Sequence, residues 1–193
     1  MQAAIQQELK LTKLPEPLLE EFCDPPGART LVAVDGVTDP QNLGALARVA
    51  EGAGAAGLVL TRRNSPPLPP AVSRASAGAI EWLPVARVPN LARTLKELKS
   101  KEFWVYGADA DAADGLWHLP DRAHSARRVV VLGSEGDGLR PGVVRALDFR
   151  LSIPLGGRVE SLNVAVAGSV ALGADVPFCL VGGRARVTGI GEV

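Results

Sequence analysis

The chain has 193 residues, 47% apolar and 22% charged, with 21 Lys+Arg balanced by 21 Asp+Glu. That length suits one ordinary domain with a short appendage, and no apolar run reaches the roughly 18 to 20 residues of a membrane helix. A net charge of zero rules out bulk electrostatic attraction as the means of holding nucleic acid, so any such binding is local or shared with another part.

Residues 1–29 read as a polar, helix-prone lead-in that ends in the turn-rich Asp24-Pro25-Pro26-Gly27, where the domain boundary is placed. Met1 to Lys10 lack the basic-then-apolar pattern of a secretory signal. Leu31 to Val34 is a short continuous apolar run followed by Asp35-Gly36, the pattern of a strand buried on both faces of a parallel sheet. Similar runs recur at 57–60, 103–106, 129–132 and 149–153. Asp39-Pro40 predicts a helix start, and Leu43, Leu46, Ala47, Ala50 and Gly54 form its apolar stripe. Arg48 sits among these small and apolar residues, where an Arg is rarely buried without an anionic partner, so a functional role is weighed against a buried structural ion pair. Asn90 predicts a second helix carrying Leu91, Leu95 and Leu98, with Lys96, Lys99 and Lys101 near its end. Ser161-Leu162-Asn163 opens a third over Val164 to Leu172, where Ser161 or Asn163 is a candidate cap, as Asn42 is at the first helix. Alternating strands and helices define an α/β domain with a mainly parallel sheet and helices on both faces, whose ligands bind at the carboxyl ends of the strands.

Charge is uneven along the chain: −4 over 1–60, +6 over 61–101 and −2 over 102–193. Arg62, Arg63, Arg74, Arg87, Arg93 and three lysines of the middle segment are candidates for a phosphate-facing patch, weighed against a plain solvated surface. Cys23 and Cys179 have no Cys-x-x-Cys partner, so neither a disulfide framework nor a zinc site is expected, and the compartment reads as reducing. His118 and His124 leave little for histidine catalysis.

Two glycine-rich stretches need separating. Gly52-Ala53-Gly54-Ala55-Ala56-Gly57 matches the dinucleotide fingerprint, but it closes a helix and precedes a strand, the reverse of the order that binding a pyrophosphate needs. A helix end with a tight connection is expected there. Gly133-Ser134-Glu135-Gly136-Asp137-Gly138 directly follows a strand, yet Leu139 and Arg140 stand where a P-loop requires Lys and Ser or Thr. What remains is a close-approach backbone at a strand's carboxyl end, beside the Glu135 carboxylate, or a plain turn.

Asn42-Leu43-Gly44-Ala45-Leu46-Ala47-Arg48, then Gly133 to Leu139, then Ile153-Pro154-Leu155 with Ser161 to Ala167, resemble in order the three signature motifs of the SpoU (TrmH) family of RNA ribose 2′-O-methyltransferases. The stretch from Asn64 to Leu98 looks closest to the branch that methylates a guanosine ribose in large-subunit rRNA. The resemblance covers about residues 15 to 172 and implies a deep C-terminal trefoil knot that binds S-adenosylmethionine in a bent form. It also implies a homodimer whose sites are completed across the interface, an RNA partner (rRNA, or tRNA), no metal, and no membrane. Carried onto this sequence, the cofactor-contacting positions are Ala108, Gly133, Ile153, Leu155 and Leu162. The catalytic positions are Asn42, Arg48, Glu135, Ser161 and Asn163. Residues 1–29 then correspond to the linker from an N-terminal substrate-binding domain, 30–172 to the methyltransferase domain, and 173–193 to a tail that departs from the family's charged helix. The expected location is the cytoplasm, with the mitochondrion as alternative. The competing functions are a non-catalytic RNA- or cofactor-binding assembly factor and a generic nucleotide-dependent α/β enzyme.

Overall fold

The two most continuous apolar runs pair at the centre of the sheet. In the computed structural model, β1 (Arg29–Asp35) lies parallel to β6 (Arg127–Gly133), with Val32 beside Val130 and Asp35 beside Gly133. The structure describes residues 21–23, 27, 29–63, 70–115, 126–134 and 136–173. Around the central pair stand β2 (Gly57–Thr61), β3 (Val85–Val88), β4 (Trp104–Ala108), β5 (Asp114–Gly115) and β7 (Phe149–Ser152), in the order β3-β2-β1-β6-β4-β7-β5. Every pairing is parallel. β3 and β5 are strands that the apolar runs do not signal.

Because side chains alternate across a strand, Val32 and Val34 face one core and Leu31 and Ala33 the other. The first core is covered by α1 (Pro40–Gly52), α2 (Pro70–Ala75) and α5 (Val164–Gly173), the second by α3 (Leu91–Lys99) and α4 (Pro141–Val144). The parallel sheet with helices on both faces is as expected.

The local signals are realised atom by atom. The Asp39 carboxylate accepts from the Gln41 amide at 3.0 Å, Pro40 opens α1, and the Asn90 side chain accepts from the Arg93 amide at 3.1 Å to start α3. The glycine-rich 52–57 stretch ends α1: Gly54 has φ +73°, its amide donates to the Glu51 carbonyl and the Ala55 amide to the Ala50 carbonyl, after which Gly57 begins β2. This two-bond closure satisfies helix carbonyls that a pyrophosphate site would leave unused.

Two later strands enter between earlier ones. β6 separates β1 from β4, and β7 separates β4 from β5. Phe149 stacks on Tyr106 and Trp104, centroids 5.3 and 5.4 Å apart, which seats β7 against β4. Asp148 fixes the approach by accepting from the Val105 amide at 2.9 Å and pairing with Lys99.

Glycines set how closely helices meet. A Cβ at Gly44 would lie 2.9 Å from the Val72 carbonyl oxygen and nearer still to the Ala75 Cβ, so α1 and α2 touch backbone to backbone. Gly44→Ala is therefore expected to lower stability by about 1–3 kcal/mol, measured by urea unfolding, because no flexible side-chain end is there to yield.

Candidate functional site

Three strands of the sheet end at one cleft. Ala108, Asp109 and Ala110 leave β4, Gly133 and Ser134 leave β6, and Leu151 and Ile153 end β7. Leu155, Glu160, Ser161 and Leu162 approach α5, whose Val164 and Ala167 close the side. The cleft has a volume of about 130 Å³ and is open to solvent on one side. Leu132, Leu151, Ile153 and Val164 make the apolar part, while Asp109, Ser134, Glu160 and Ser161 supply polar groups. All five residues assigned to the cofactor from the resemblance line this one cleft.

The loop after β6 is shaped by glycine. Ser134 and Gly138 exchange two backbone hydrogen bonds of 3.1 Å, and Gly136 and Gly138 have φ +91° and +63°. At Gly133 a Cβ would stand 2.5 Å from the Gly138 carbonyl oxygen and 2.8 Å from the Leu139 amide nitrogen. The loop thus closes over a position that tolerates only hydrogen.

A buried carboxylate holds the far end of that loop. Asp35, 1% exposed at the end of β1, accepts from the Arg140 amide at 2.9 Å and from the Arg140 Nε at 2.7 Å, with Nη2 on the same oxygen. Charge-assisted, forked pairing of this kind fixes both partners. Arg140, noted from sequence only as the wrong residue for a P-loop, is an anchor here, and Asp35 was not singled out beyond its place after a strand. Their signal spans 105 residues and is not local.

The catalytic candidates are placed as follows. Asn163 Nδ2 donates to Asn42 Oδ1 at 2.7 Å across 121 residues of sequence, joining the first and third motifs. Asn163 Oδ1 also accepts from the Ala165 amide at 2.9 Å, so it caps α5 as well. Asn42 is not the cap of α1, because Asp39 fills that position. Ser161 is exposed at the cleft. Glu135 lies outside the described residues, as do His118, His124 and Cys179.

Arg48 is exposed on α1 rather than buried with an anionic partner. At 100° per residue, the stripe that buries Leu43, Leu46, Ala47 and Ala50 turns Arg48 away, however apolar its sequence neighbours. Six residues also separate it from Asn42, about 9 Å along the helix axis.

The residue set suits S-adenosylmethionine: an apolar wall for a flat base, and carboxylates and hydroxyls for a cationic, hydrogen-bonding remainder. Among the described residues no group of three or more His, Cys, Asp and Glu is placed to hold a metal, and no helix is long and apolar enough to cross a membrane.

The model of the SpoU rRNA Methylase family matches residues 29–173. The chain belongs to that family. A TrmH family tRNA/rRNA methyltransferase of Staphylococcus haemolyticus is 43% identical over 147 residues, 76% of this chain and 58% of the relative. The chain thus spans a little over half the length of that relative. An AdoMet-bound rRNA methyltransferase from Sinorhizobium meliloti superposes with TM-score 0.73 and 29% identity, over 82% of this chain and 59% of that one. A structure described as an RNA 2′-O ribose methyltransferase gives TM-score 0.70 and 26% identity, over 82% and 59%. SpoU members solved with AdoMet agree with the cofactor expected from sequence, whereas the relatives' names say tRNA/rRNA without choosing between them.

Proposed function

We propose that this SpoU-family chain methylates a ribose 2′-hydroxyl of RNA, specifically a guanosine of large-subunit rRNA, with S-adenosylmethionine as methyl donor. The observation that carries this reading is the convergence of Ala108, Gly133, Ile153, Leu155 and Leu162 on one cleft at the strands' carboxyl ends, where α/β sheets hold ligands. When bound, S-adenosylmethionine supplies an electrophilic methyl group. The chain's own residues would hold it: Gly133 and Ser134 through backbone, Ile153 and Leu162 through apolar contact, and Glu160 through charge. The insertion of β6 and β7 between earlier strands supports a trefoil knot around the cleft. Exposed Leu155, Val159 and Val166 support a homodimer that covers them. The bacterial relatives favour the cytoplasm.

The Asn42–Asn163 bond fixes two amides that orient substrate, and exposed Arg48 completes the partner's site. Arg48 presents a planar fork of donors and no acceptor, so it acts as a forked clamp on the target phosphate, and the proton leaves with help from that phosphate. Arg48→Lys keeps the charge and loses the fork; it is expected to slow transfer at least about tenfold with cofactor affinity unchanged. A wild-type rate would contradict the clamp.

The reading is tested by incubating the protein with rRNA and methyl-labelled S-adenosylmethionine, then hydrolysing the RNA in alkali. Alkaline cleavage needs a free 2′-hydroxyl, so label in alkali-resistant dinucleotides that carry guanosine is expected. Label in mononucleotides would move the methyl to a base, and cofactor binding without transfer would favour the assembly-factor reading.

A further inference from the structure

β7 lies between β4 and β5 in the sheet, although both of those strands precede it in the chain. Residues 109–113 therefore carry the chain from the end of β4 across β7 to the start of β5, so that Leu151 has Ala108 on one side and Asp114 on the other. This crossing supplies one wall of the methyl-donor cleft through Ala108, Asp109 and Ala110, and β7 supplies the next through Leu151 and Ile153. How closely the crossing sits on β7 sets the shape of the cleft at this corner.

Asp109 is the node of the crossing. Its amide donates to the Leu151 carbonyl at 3.0 Å, and its own carbonyl accepts from the Ala112 amide at 3.1 Å. Carboxylate Oδ1 accepts from the Asp111 amide at 3.0 Å, an Asx-type turn. Oδ2 accepts from Arg150 Nε at 2.9 Å and lies 2.8 Å from Arg150 Nη2. Both backbone groups and both carboxylate oxygens of Asp109 are thus engaged within the chain.

Arg150 reaches this node from outside the cleft. Phe149 and Leu151 face the first core, so alternation along β7 turns Arg150 to the other side, and it does not line the cleft. Its side chain is 46% exposed, whereas that of Asp109 is 15% exposed. The forked, charge-assisted pairing therefore meets a mostly covered carboxylate and fixes its direction. Neither residue belongs to the three signature motifs.

We propose that Arg150 is a positioning residue for the methyl-donor cleft, acting through Asp109 to hold the 109–113 crossing against β7 and so keep the wall from Ala108 to Ala110 in register with Leu151 and Ile153. The inference rests on the S-adenosylmethionine reading of the cleft. It gives Asp109 a geometric role, since a carboxylate already held by Arg150 and the Asp111 amide is not a free charge for the cofactor.

The test is calorimetric titration of the full chain with S-adenosylmethionine and with S-adenosylhomocysteine, whose sulfur carries no charge, alongside thermal unfolding. Arg150→Gln is expected to weaken both ligands equally, by about three- to tenfold, with Tm within about 2 °C of wild type because an exposed pair adds little to the fold. Arg150→Lys should recover part of the affinity. Asp109→Asn keeps the Oδ1 acceptor, so it should match Arg150→Gln, and the double variant should bind no more weakly than either single one. Arg145→Gln removes an exposed charge elsewhere and should stay within about twofold. If Arg150→Gln does not fold, Asp109→Asn carries the same comparison. Unchanged affinity, additive losses in the double variant, or an equal loss in Arg145→Gln would overturn the positioning role. Tighter binding of S-adenosylmethionine, or a loss confined to that charged ligand, would make Asp109 a direct electrostatic contact and overturn it likewise. A wild-type chain that binds S-adenosylmethionine no better than Arg150→Gln removes only this role, whereas a folded wild-type chain that binds neither ligand removes the cleft reading and this role with it.

Discussion

Gly133→Ala is expected to weaken S-adenosylmethionine binding by about 10- to 100-fold while the protein stays folded. The added methyl would stand 2.5 Å from the Gly138 carbonyl oxygen and 2.8 Å from the Leu139 amide nitrogen, and both are backbone atoms that cannot rotate away. The loop must open instead, breaking the paired Ser134–Gly138 hydrogen bonds that define the cleft wall. Overpacking of this kind costs about 1–3 kcal/mol, and each 1.4 kcal/mol is tenfold in affinity. The loop lies at the edge of the core rather than within it, so the strain falls on the cleft more than on the fold. Calorimetry with circular dichroism as a folding control measures both, and unchanged affinity would mean that the loop is not part of the cofactor site.

Arg140→Ala is expected to be the most destabilising single change at the site, by about 3 kcal/mol, or a Tm lower by about 6–12 °C. It leaves the Asp35 carboxylate, whose side chain is fully buried, without its forked partner and forces an uncompensated charge into the interior. The figure is at the lower end for buried pairs because the Arg140 side chain is 48% exposed, so water screens its half of the interaction. Adding Asp35→Asn to Arg140→Ala should recover part of the loss, since a neutral amide is cheaper to bury than a carboxylate. Thermal unfolding of the four proteins closes the cycle; if the two single changes add with no recovery in the pair, the ion pair is not the source of the stability.

What was legible in the sequence follows the range of the interaction. The Asp39-Pro40 start, the Asn90 cap and the glycine closure at 52–57 depend on atoms within a few residues, and all three stand where local chemistry puts them. β3 escaped notice because Val85-Ala86-Arg87-Val88 is short, carries a charge, and owes its strand conformation to pairing with β2. Strand order was equally out of reach: nothing local to Val129–Leu132 says that β6 enters between β1 and β4. Exposure of Arg48 removes the buried-ion-pair alternative: its apolar neighbours in sequence are not its neighbours in space, because one step along a helix is a 100° turn. The carboxyl-end location of the cleft was legible from the α/β pattern, but its full lining, drawn from 108 to 167, was reachable only through resemblance, as was the Asn42–Asn163 bond that joins opposite ends of the domain. Asp35 and Arg140 belonged to no motif that had been set apart, so the anchor of the loop emerged only with the fold.

The most direct test is calorimetric titration of the purified chain with S-adenosylmethionine, with NAD and ATP as controls. Micromolar, one-per-chain binding of S-adenosylmethionine alone, lost in Gly133→Ala, is the predicted result. A folded chain that ignores S-adenosylmethionine, or binds NAD or ATP in its place, would contradict the assignment of the cleft.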